Sequence, residues 1–499
     1  MEALVVVAVV GVNFFLWSII AAIRILTPAS RDHNHIAVAI ERRGRTTQDE
    51  EITASDVAVI IPAHNEETVI ASTIESVLQR LPAQQIHVVA DGCVDATARI
   101  AKQLGVHVIE LDPAHGKARG IEEALGRFAI LDRFAVVLIL DADTELGPGY
   151  MRSGLRLLNK TGAAAVAGYA LSRWQPEQLP LVGRFLVAYR IRLYTVMQWI
   201  RYGQTWRYTN VTAVVPGFAS MYRTNALRQI EVNPPGLVIE DFNMTFELHR
   251  KRLGKVAFGP SMSAMTQDPD NLRDYCRQVM RWSLGFWQTV RRHGFWPSLF
   301  SLTLALFLLE TLTSSIILLG GAAIVMLLAV PSLVGDVAQS WGWYVELRRV
   351  ASPYMTPANL LLLVFLPDFL LTCCAALWMR RPGLLIYGPS FIFIRLIDAA
   401  AMLWTLPQSL WRASSGRWTS PKRRSSLLPV RLPGKKVRTS PLSGLPAVMR
   451  DSLAMAGAIA VGAVLVALSL VPVMVLLASL ILLIGLGATL TTLRGGWKA

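Results

Sequence analysis

Apolar and polar positions fall into distinct textures along the chain. From Asp56 to about residue 146, short apolar runs rich in Val and Ile alternate with stretches at helical spacing. VAVIIPAHNEE (57–67) reads as a strand and a loop, and Thr68–Leu81 as the helix that follows. IHVVADGCVDATARIAKQLG (86–105) repeats strand and helix, VHVIELD (106–112) adds a strand, and HGKARGIEEALGRF (115–128) supplies a glycine turn and a helix. VVLILDADTEL (136–146) is the strongest strand signal, an apolar run that stops abruptly at Asp141-Ala142-Asp143. Unbroken runs of this kind suit strands covered on both faces. The order βαβαβ, with polar or acidic residues at the strand ends, predicts a doubly wound, mostly parallel α/β sheet with its ligand site at the carboxyl ends.

Beyond this sheet the pattern becomes mixed. PLVGRFLVAYRIRLYTVMQWI (180–200) is long enough to span a bilayer, but Arg184, Arg190 and Arg192 within it predict a helix lying on the membrane surface instead. TNVTAVVPGFASMYRTNAL (209–227) returns to the sheet, and GLVIEDFNMTFELHRKRLG (236–254) is a loop and helix carrying Glu240-Asp241. LRDYCRQVMRWSLGFWQTV (272–290) is an amphipathic helix, with Arg273, Arg277 and Arg281 in one row and Tyr275, Val279 and Phe286 in another.

The last texture is membrane-like. Residues 3–22 form an apolar stretch without the basic start or cleavage site of a removable signal, so they predict a retained anchor. Residues 298–330 read as one long tilted helix or a hairpin around Gly320-Gly321, 357–378 as a span, and 384–408 as a span containing Arg395 and Asp398. These two charges, at i and i+3, predict a pair on one helix face, either structural or lining a polar path. Residues 454–490 suit a two-helix hairpin. The predicted organisation is an anchor (1–26), a basic linker (27–54), a soluble domain (55–270) and an interfacial helix (271–296). Membrane helices (297–410), a basic linker (411–450) and a terminal hairpin (451–493) follow.

Composition agrees with that organisation. The chain is 53% hydrophobic and 17% charged, with mean hydropathy +0.43, too apolar for an ordinary soluble enzyme. Its net charge of +15 lies beside apolar segments, and residues 412–440 hold nine Lys or Arg and no acid. This distribution fits the cytoplasmic side of a plasma membrane and contact with its lipids, and it argues against nucleic acid. His33 and His35 read as solvated. Cys93, Cys276, Cys373 and Cys374 have neither C-x-x-C spacing nor a disulfide framework, so they read as thiols. The absence of G-x-G-x-x-G and G-x-x-x-x-G-K-[ST] argues against a dinucleotide enzyme and a P-loop ATPase.

The candidate chemistry lies at Asp91, Asp141, Asp143, Glu240, Asp241 and the run Gln278-Val279-Met280-Arg281-Trp282. Alone, D-x-D is either an acidic turn or a metal and phosphate site, and Glu240-Asp241 an acid pair at a helix start. In this order, with Q-x-x-R-W, they resemble the membrane-integrated family-2 glycosyltransferases, which include the synthases of cellulose, chitin, hyaluronan and poly-N-acetylglucosamine. The resemblance covers roughly residues 55–295 by motif. It implies a GT-A-like fold, a UDP-sugar donor, Mg²⁺ or Mn²⁺, and inverting transfer to a growing polysaccharide exported through the chain's own helices.

By that resemblance Asp143 binds the metal, Asp141 lies near the ribose and metal shell, and Asp91 reads the uracil. Ala63, Asn65 and Glu66 belong to the first nucleotide-binding turn, where His64 replaces a more usual tyrosine. Lys117 is either a phosphate or donor contact or a surface lysine. Asp241 is the base, with Glu240 shaping the site or raising its neighbour's pKa. Gly217 allows close backbone approach to the acceptor sugar. In the Q-x-x-R-W motif with Gln278, Arg281 pairs with the leaving diphosphate and Trp282 stacks on the acceptor sugar. Two details depart from the pattern: ADG stands where DDG is common, and Cys93 replaces a common serine. Within enzymes, the competing expectation is single transfer to a lipid or lipid-linked acceptor. Outside them, it is a transporter or scaffold with a nucleotide-binding domain.

Overall fold

The computed structural model describes residues 51–198, 205–206, 209–328, 340–353, 359, 364–411 and 424. The predicted anchor, the basic linkers except residues 51–54, 411 and 424, and the terminal hairpin lie outside the described residues. The chain divides into two compact units, one of residues 30–304 and 404–432, the other of residues 1–29, 305–403 and 433–499.

The first unit is built on eight strands: β1 (Val57–Ala63), β2 (Ile86–Asp91), β3 (His107–Leu111), β4 (Val136–Leu140), β5 (Glu145–Leu146), β6 (Ala165–Ser172), β7 (Ala219–Arg223) and β8 (Val256–Thr266). Their order across the sheet is β3-β2-β1-β4-β7-β6-β8-β5. Every residue of β1, β2 and β4 is buried, as their unbroken apolar runs require. Helices α1 (Ile70–Leu78), α2 (Thr97–Gln103), α3 (Lys117–Arg127) and α4 (Tyr150–Thr161) connect and cover them. The apolar stripes of α1 and α4 enter one core with β1, β2 and β4, formed by residues such as Ile61, Ile74, Leu138 and Leu158.

The sheet is mixed: four of its seven described strand pairings are parallel, β6 with β8 among them, and three are antiparallel. β1, β2, β3 and β4 run parallel, but β7 is antiparallel to both β4 and β6, and β5 is antiparallel to β8. The consequence is functional. Leu140 at the end of β4 pairs with Ala219 at the start of β7, so the segment leading into β7 arrives at the carboxyl end of β4. The amide of Asp141 donates to the Phe218 carbonyl at 2.8 Å.

Three further long helices belong to this unit: α5 (Leu181–Val196), α6 (Glu240–Arg250) and α7 (Leu272–His293). The surface placement expected for 180–200 is not what α5 shows. Arg190 and Arg192 are 1% and 5% exposed, and α5 packs on β6 and α7. The arginines are accommodated by aromatic rings of the protein, Arg190 over Tyr275 and Trp282 and Arg192 over Tyr189, rather than by lipid headgroups.

Helix α8 (Leu299–Leu328) begins in this first unit and continues into the second. It is a single helix through Gly320 and Gly321, so the hairpin alternative is not adopted there. The second unit also contains α9 (Gly342–Ala351) and α10 (Leu366–Met379); α11 (Phe391–Trp411) lies in it as far as Leu403. Leu299–Leu328 and Leu384–Trp411 are long and apolar enough to cross a membrane. Arg395 donates to Asp368 of α10 at 2.9 Å, a carboxylate across the helix pair that the sequence did not single out.

Candidate active site

The carboxyl ends of β1, β2 and β4 place Ala63, Asp91 and Asp141 along one edge, as parallel strands require. Beyond β1 the chain turns through His64 and Asn65, whose φ of 54° lies in the left-handed region that Asn tolerates. Asn65 Oδ1 accepts from the Val94 amide at 2.9 Å, and the Glu66 amide donates to Thr97 Oγ1 at 2.8 Å. The first nucleotide-binding turn is thereby tied to the loop after β2.

Asp91 is 4% exposed, and its oxygens accept from the His115 and Gly116 amides, both at 2.7 Å. The acid expected to read a base therefore also holds the turn that starts α3. Gly116, with φ 98°, permits that turn and delivers Lys117 into the site.

Lys117 is the hub of the site, not a surface lysine. Its Nζ lies 2.7 Å from Asp141 Oδ1 and 2.8 Å from Glu240 Oε1, and donates to the Gly217 carbonyl at 3.0 Å. Burial disfavours its charge, but the two carboxylates outweigh that and hold its pKa above the ordinary lysine value. Four segments, from residues 117, 141, 217 and 240, thus meet on one ammonium.

Gly217 is required by this meeting. Its amide donates to Asp241 Oδ2 at 3.1 Å, and a Cβ there would lie 3.0 Å from Lys117 Nζ, 3.1 Å from Glu240 Oε1 and 3.3 Å from Asp241 Cβ. The close approach expected toward an acceptor is made toward the site's own charged groups.

Glu240 and Asp241 open α6, where the positive end of the helix favours anions. They are held differently. Burial works against both ionised forms, yet Lys117 outweighs it at Glu240 and keeps that pKa below the ordinary value. Asp241 accepts from its two neighbouring amides, Gly217 and Phe242, but burial first and the Glu240 charge second raise its pKa to about 6. Asp241 is accordingly the stronger base of the pair, poised near neutral pH.

Asp143 is 6% exposed and accepts from Thr144 Oγ1 at 3.2 Å. Asp268, at the end of β8, was not singled out from sequence. Its Oδ1 accepts from the Tyr194 hydroxyl at 3.0 Å, while Oδ2 is buried without a hydrogen-bond partner among the described residues. Its pKa is raised, by burial first, and the Asp143 charge adds to the shift. The run QDPD ahead of an amphipathic helix was the available signal. Among the described residues no three His, Cys, Asp or Glu side chains form a closed metal cage. Asp141 and Asp143 are nonetheless hard donors suited to Mg²⁺ or Mn²⁺, cations that take further ligands from phosphate and water.

Arg281 lines an open cleft together with His115–Ala118, Val232–Pro234 and Leu237–Glu240. Its charge acts on Glu240. Gln278 and Trp282 do not join it there: Gln278 Oε1 accepts from Arg190 at 2.9 Å, and the Arg190 guanidinium lies 4.5 Å from the Trp282 ring centroid. A face of the expected sugar platform is covered by a cation.

Residues 54–285 match the family model described as "Glycosyltransferase like family 2". Over that stretch, a little under half of the chain, the sequence is similar to family 2 glycosyltransferase domains. Similar proteins include a probable glycosyltransferase, YdaM, of Bacillus subtilis (strain 168), 28% identical over 243 residues, 46% of this chain and 54% of that protein. The 4,4'-diaponeurosporenoate glycosyltransferase of Staphylococcus aureus (strain bovine RF122 / ET3-1) is 32% identical over 108 residues, 20% of this chain and 29% of that one. The chain spans about half the length of the first two curated relatives it matches, 54% and 57%. Among solved structures, the mannosyltransferase PcManGT from Pyrobaculum calidifontis, in complex with GDP-Man and Mn²⁺, aligns with TM-score 0.45 and 14% identity. That alignment covers 82% of this chain and 99% of that one.

Proposed function

We propose that this protein transfers a sugar from a UDP-sugar to an acceptor hydroxyl in one inverting displacement, with Asp241 as the base. The observation that carries the reading is the single cluster of Lys117, Asp141, Gly217, Glu240 and Asp241. Asp241 takes the acceptor hydroxyl's proton as the oxygen forms its bond to the anomeric carbon. The bond from that carbon to the diphosphate breaks on the opposite face, and UDP leaves. Glu240 stays ionised and anchors Lys117, which keeps the acids in one low-dielectric site without mutual expulsion. Arg281 meets the charge developing on the leaving diphosphate. Asp143, with Asp141, would hold Mg²⁺ or Mn²⁺, which supplies further neutralisation of that diphosphate.

In this reading the catalytic domain lies in the cytoplasm beside membrane helices, and the family resemblance makes the acceptor a growing polysaccharide exported through them. A second reading, single transfer to a lipid or lipid-linked acceptor, is favoured by one feature of the cleft. Its described lining holds Val232, Pro234, Leu237, Val238 and Ile239 but no Trp, Tyr or Phe, and Trp282 already carries Arg190. A transporter or scaffold leaves the buried base unexplained.

The test is UDP release by the full chain in detergent with Mn²⁺ or Mg²⁺ across a panel of UDP-sugars, beside Asp241→Asn, followed by sizing of the product. Release with one donor, abolished in the variant, supports the reading. Long product identifies a synthase, and a one-sugar product identifies the lipid-acceptor enzyme. UDP binding without turnover of any donor refutes this chain acting alone as the enzyme.

A further inference from the structure

Arg190 is a cation that is 1% exposed, and no step of the proposed transfer uses it. It reaches from α5 to a stripe of α7. Its guanidinium lies 4.6 Å from the Tyr275 ring centroid and 4.5 Å from that of Trp282, and Nη2 donates to Gln278 Oε1 at 2.9 Å. These partners stand at i, i+3 and i+7, one face of the helix. The carboxylate of Asp268, tied to Tyr194, supplies the opposing charge. A planar guanidinium can be flanked by aromatic rings while its edge still donates, which an ammonium cannot reproduce.

Arg281 lies on the same helix, one residue before Trp282, and faces the cleft with Lys117 and Glu240. We propose that Arg190 is a positioning residue: by gripping Tyr275, Gln278 and Trp282 it sets the rotation of α7 that aims Arg281 at the leaving diphosphate. Rotating a helix by about 30° carries a side-chain tip some 6 Å from the axis through about 3 Å. That displacement is enough to lose a hydrogen bond to a phosphate oxygen. The same grip explains why Trp282 and Gln278 of the motif point to Arg190 while Arg281 does not. The inference rests on the sugar-transfer reading of the site.

The test compares the full chain in detergent as wild type, Arg190→Met, Arg190→Lys, Arg281→Ala and Arg190→Met/Arg281→Ala, by competition binding of UDP and UMP with Mn²⁺. If Arg190 acts through Arg281, its loss weakens UDP by about tenfold, the scale of one charge-assisted hydrogen bond, and leaves UMP within about twofold. Arg190→Lys keeps the charge without the planar stack and falls between. The double variant matches Arg281→Ala within about twofold, since a residue acting through another adds nothing once that other is gone. Equal losses for UDP and UMP, or a double loss equal to the product of the single losses, overturns the proposal. If Arg190→Met does not fold, Arg190→Lys decides, and wild-type affinity for UDP in that variant overturns it. Wild-type protein that binds no UDP refutes the sugar-transfer reading itself, a result separable from unchanged variants of a UDP-binding protein.

Discussion

Replacing Lys117 by Met removes the one ammonium on which Asp141, Glu240 and the Gly217 carbonyl converge. The side chain keeps its length and loses its charge, so three neighbouring acids lose their common cation. Lys117 Nζ and Asp241 Cβ lie 3.0 Å and 3.3 Å from the position a Gly217 Cβ would occupy, which sets the ammonium close to the base as well. A unit charge at about 5 Å and an effective dielectric near 20 is worth about 3 kcal/mol, or about two pH units. Solvent at the open side of the cleft reduces this to about one to two units. The sign is fixed: a lost cation raises the pKa of Asp241 from its starting value of about 6. Wild-type UDP release should therefore rise with pH through about 6, and in Lys117→Met the rise should move about one to two units toward alkali. Lys117→Arg, which keeps the charge, should move far less. The assay is initial-rate UDP release from pH 5 to 9 at saturating donor and metal. A rise with the same midpoint in wild type and Lys117→Met would refute the view that this lysine sets the ionisation of the base.

Gly217→Ala places a methyl group 3.0 Å from Lys117 Nζ and 3.1 Å from Glu240 Oε1; turnover should fall on the order of a hundredfold from misplacement of the charged groups, while the melting temperature changes little. Stability should also depend on acid. Burial lowers the pKa of His87, His249 and His293 to about 4 from the ordinary 6.5. Between those values the unfolded chain binds protons that the native state refuses, so stability falls as pH drops from 6.5 towards 4, by up to about 1.4 kcal/mol per pH unit per histidine. Chemical denaturation of the full chain at pH 7, 6 and 5 measures this, and a flat profile would show that these rings are not held neutral.

Strands β1 to β4, the Asp91 and Asp141 strand ends and the acid pair at Glu240-Asp241 were legible in the sequence, because each depends on local pattern, whereas β6 and β8 were not singled out. An apolar run ending in a carboxylate becomes a buried strand with an acid at its end wherever it is placed. Helix α7 and the Gln278, Arg281 and Trp282 spacing were legible for the same reason, as was the family they resemble. What these residues touch was decided by the tertiary structure. Lys117 reads from sequence as either a phosphate or donor contact or a surface lysine because its partners Gly217 and Glu240 lie about a hundred residues away or more, and the antiparallel entry of β7 beside β4 brings them together. Arg190 reads as a headgroup-facing cation because nothing near it in sequence announces Tyr275, Gln278 and Trp282. Arg395 donates to Asp368 on α10, a carboxylate on another helix that no local pattern announces. Periodicity carries information over one turn or one strand, whereas burial makes charged groups find partners across the fold, and that choice exists only once the chain has closed upon itself.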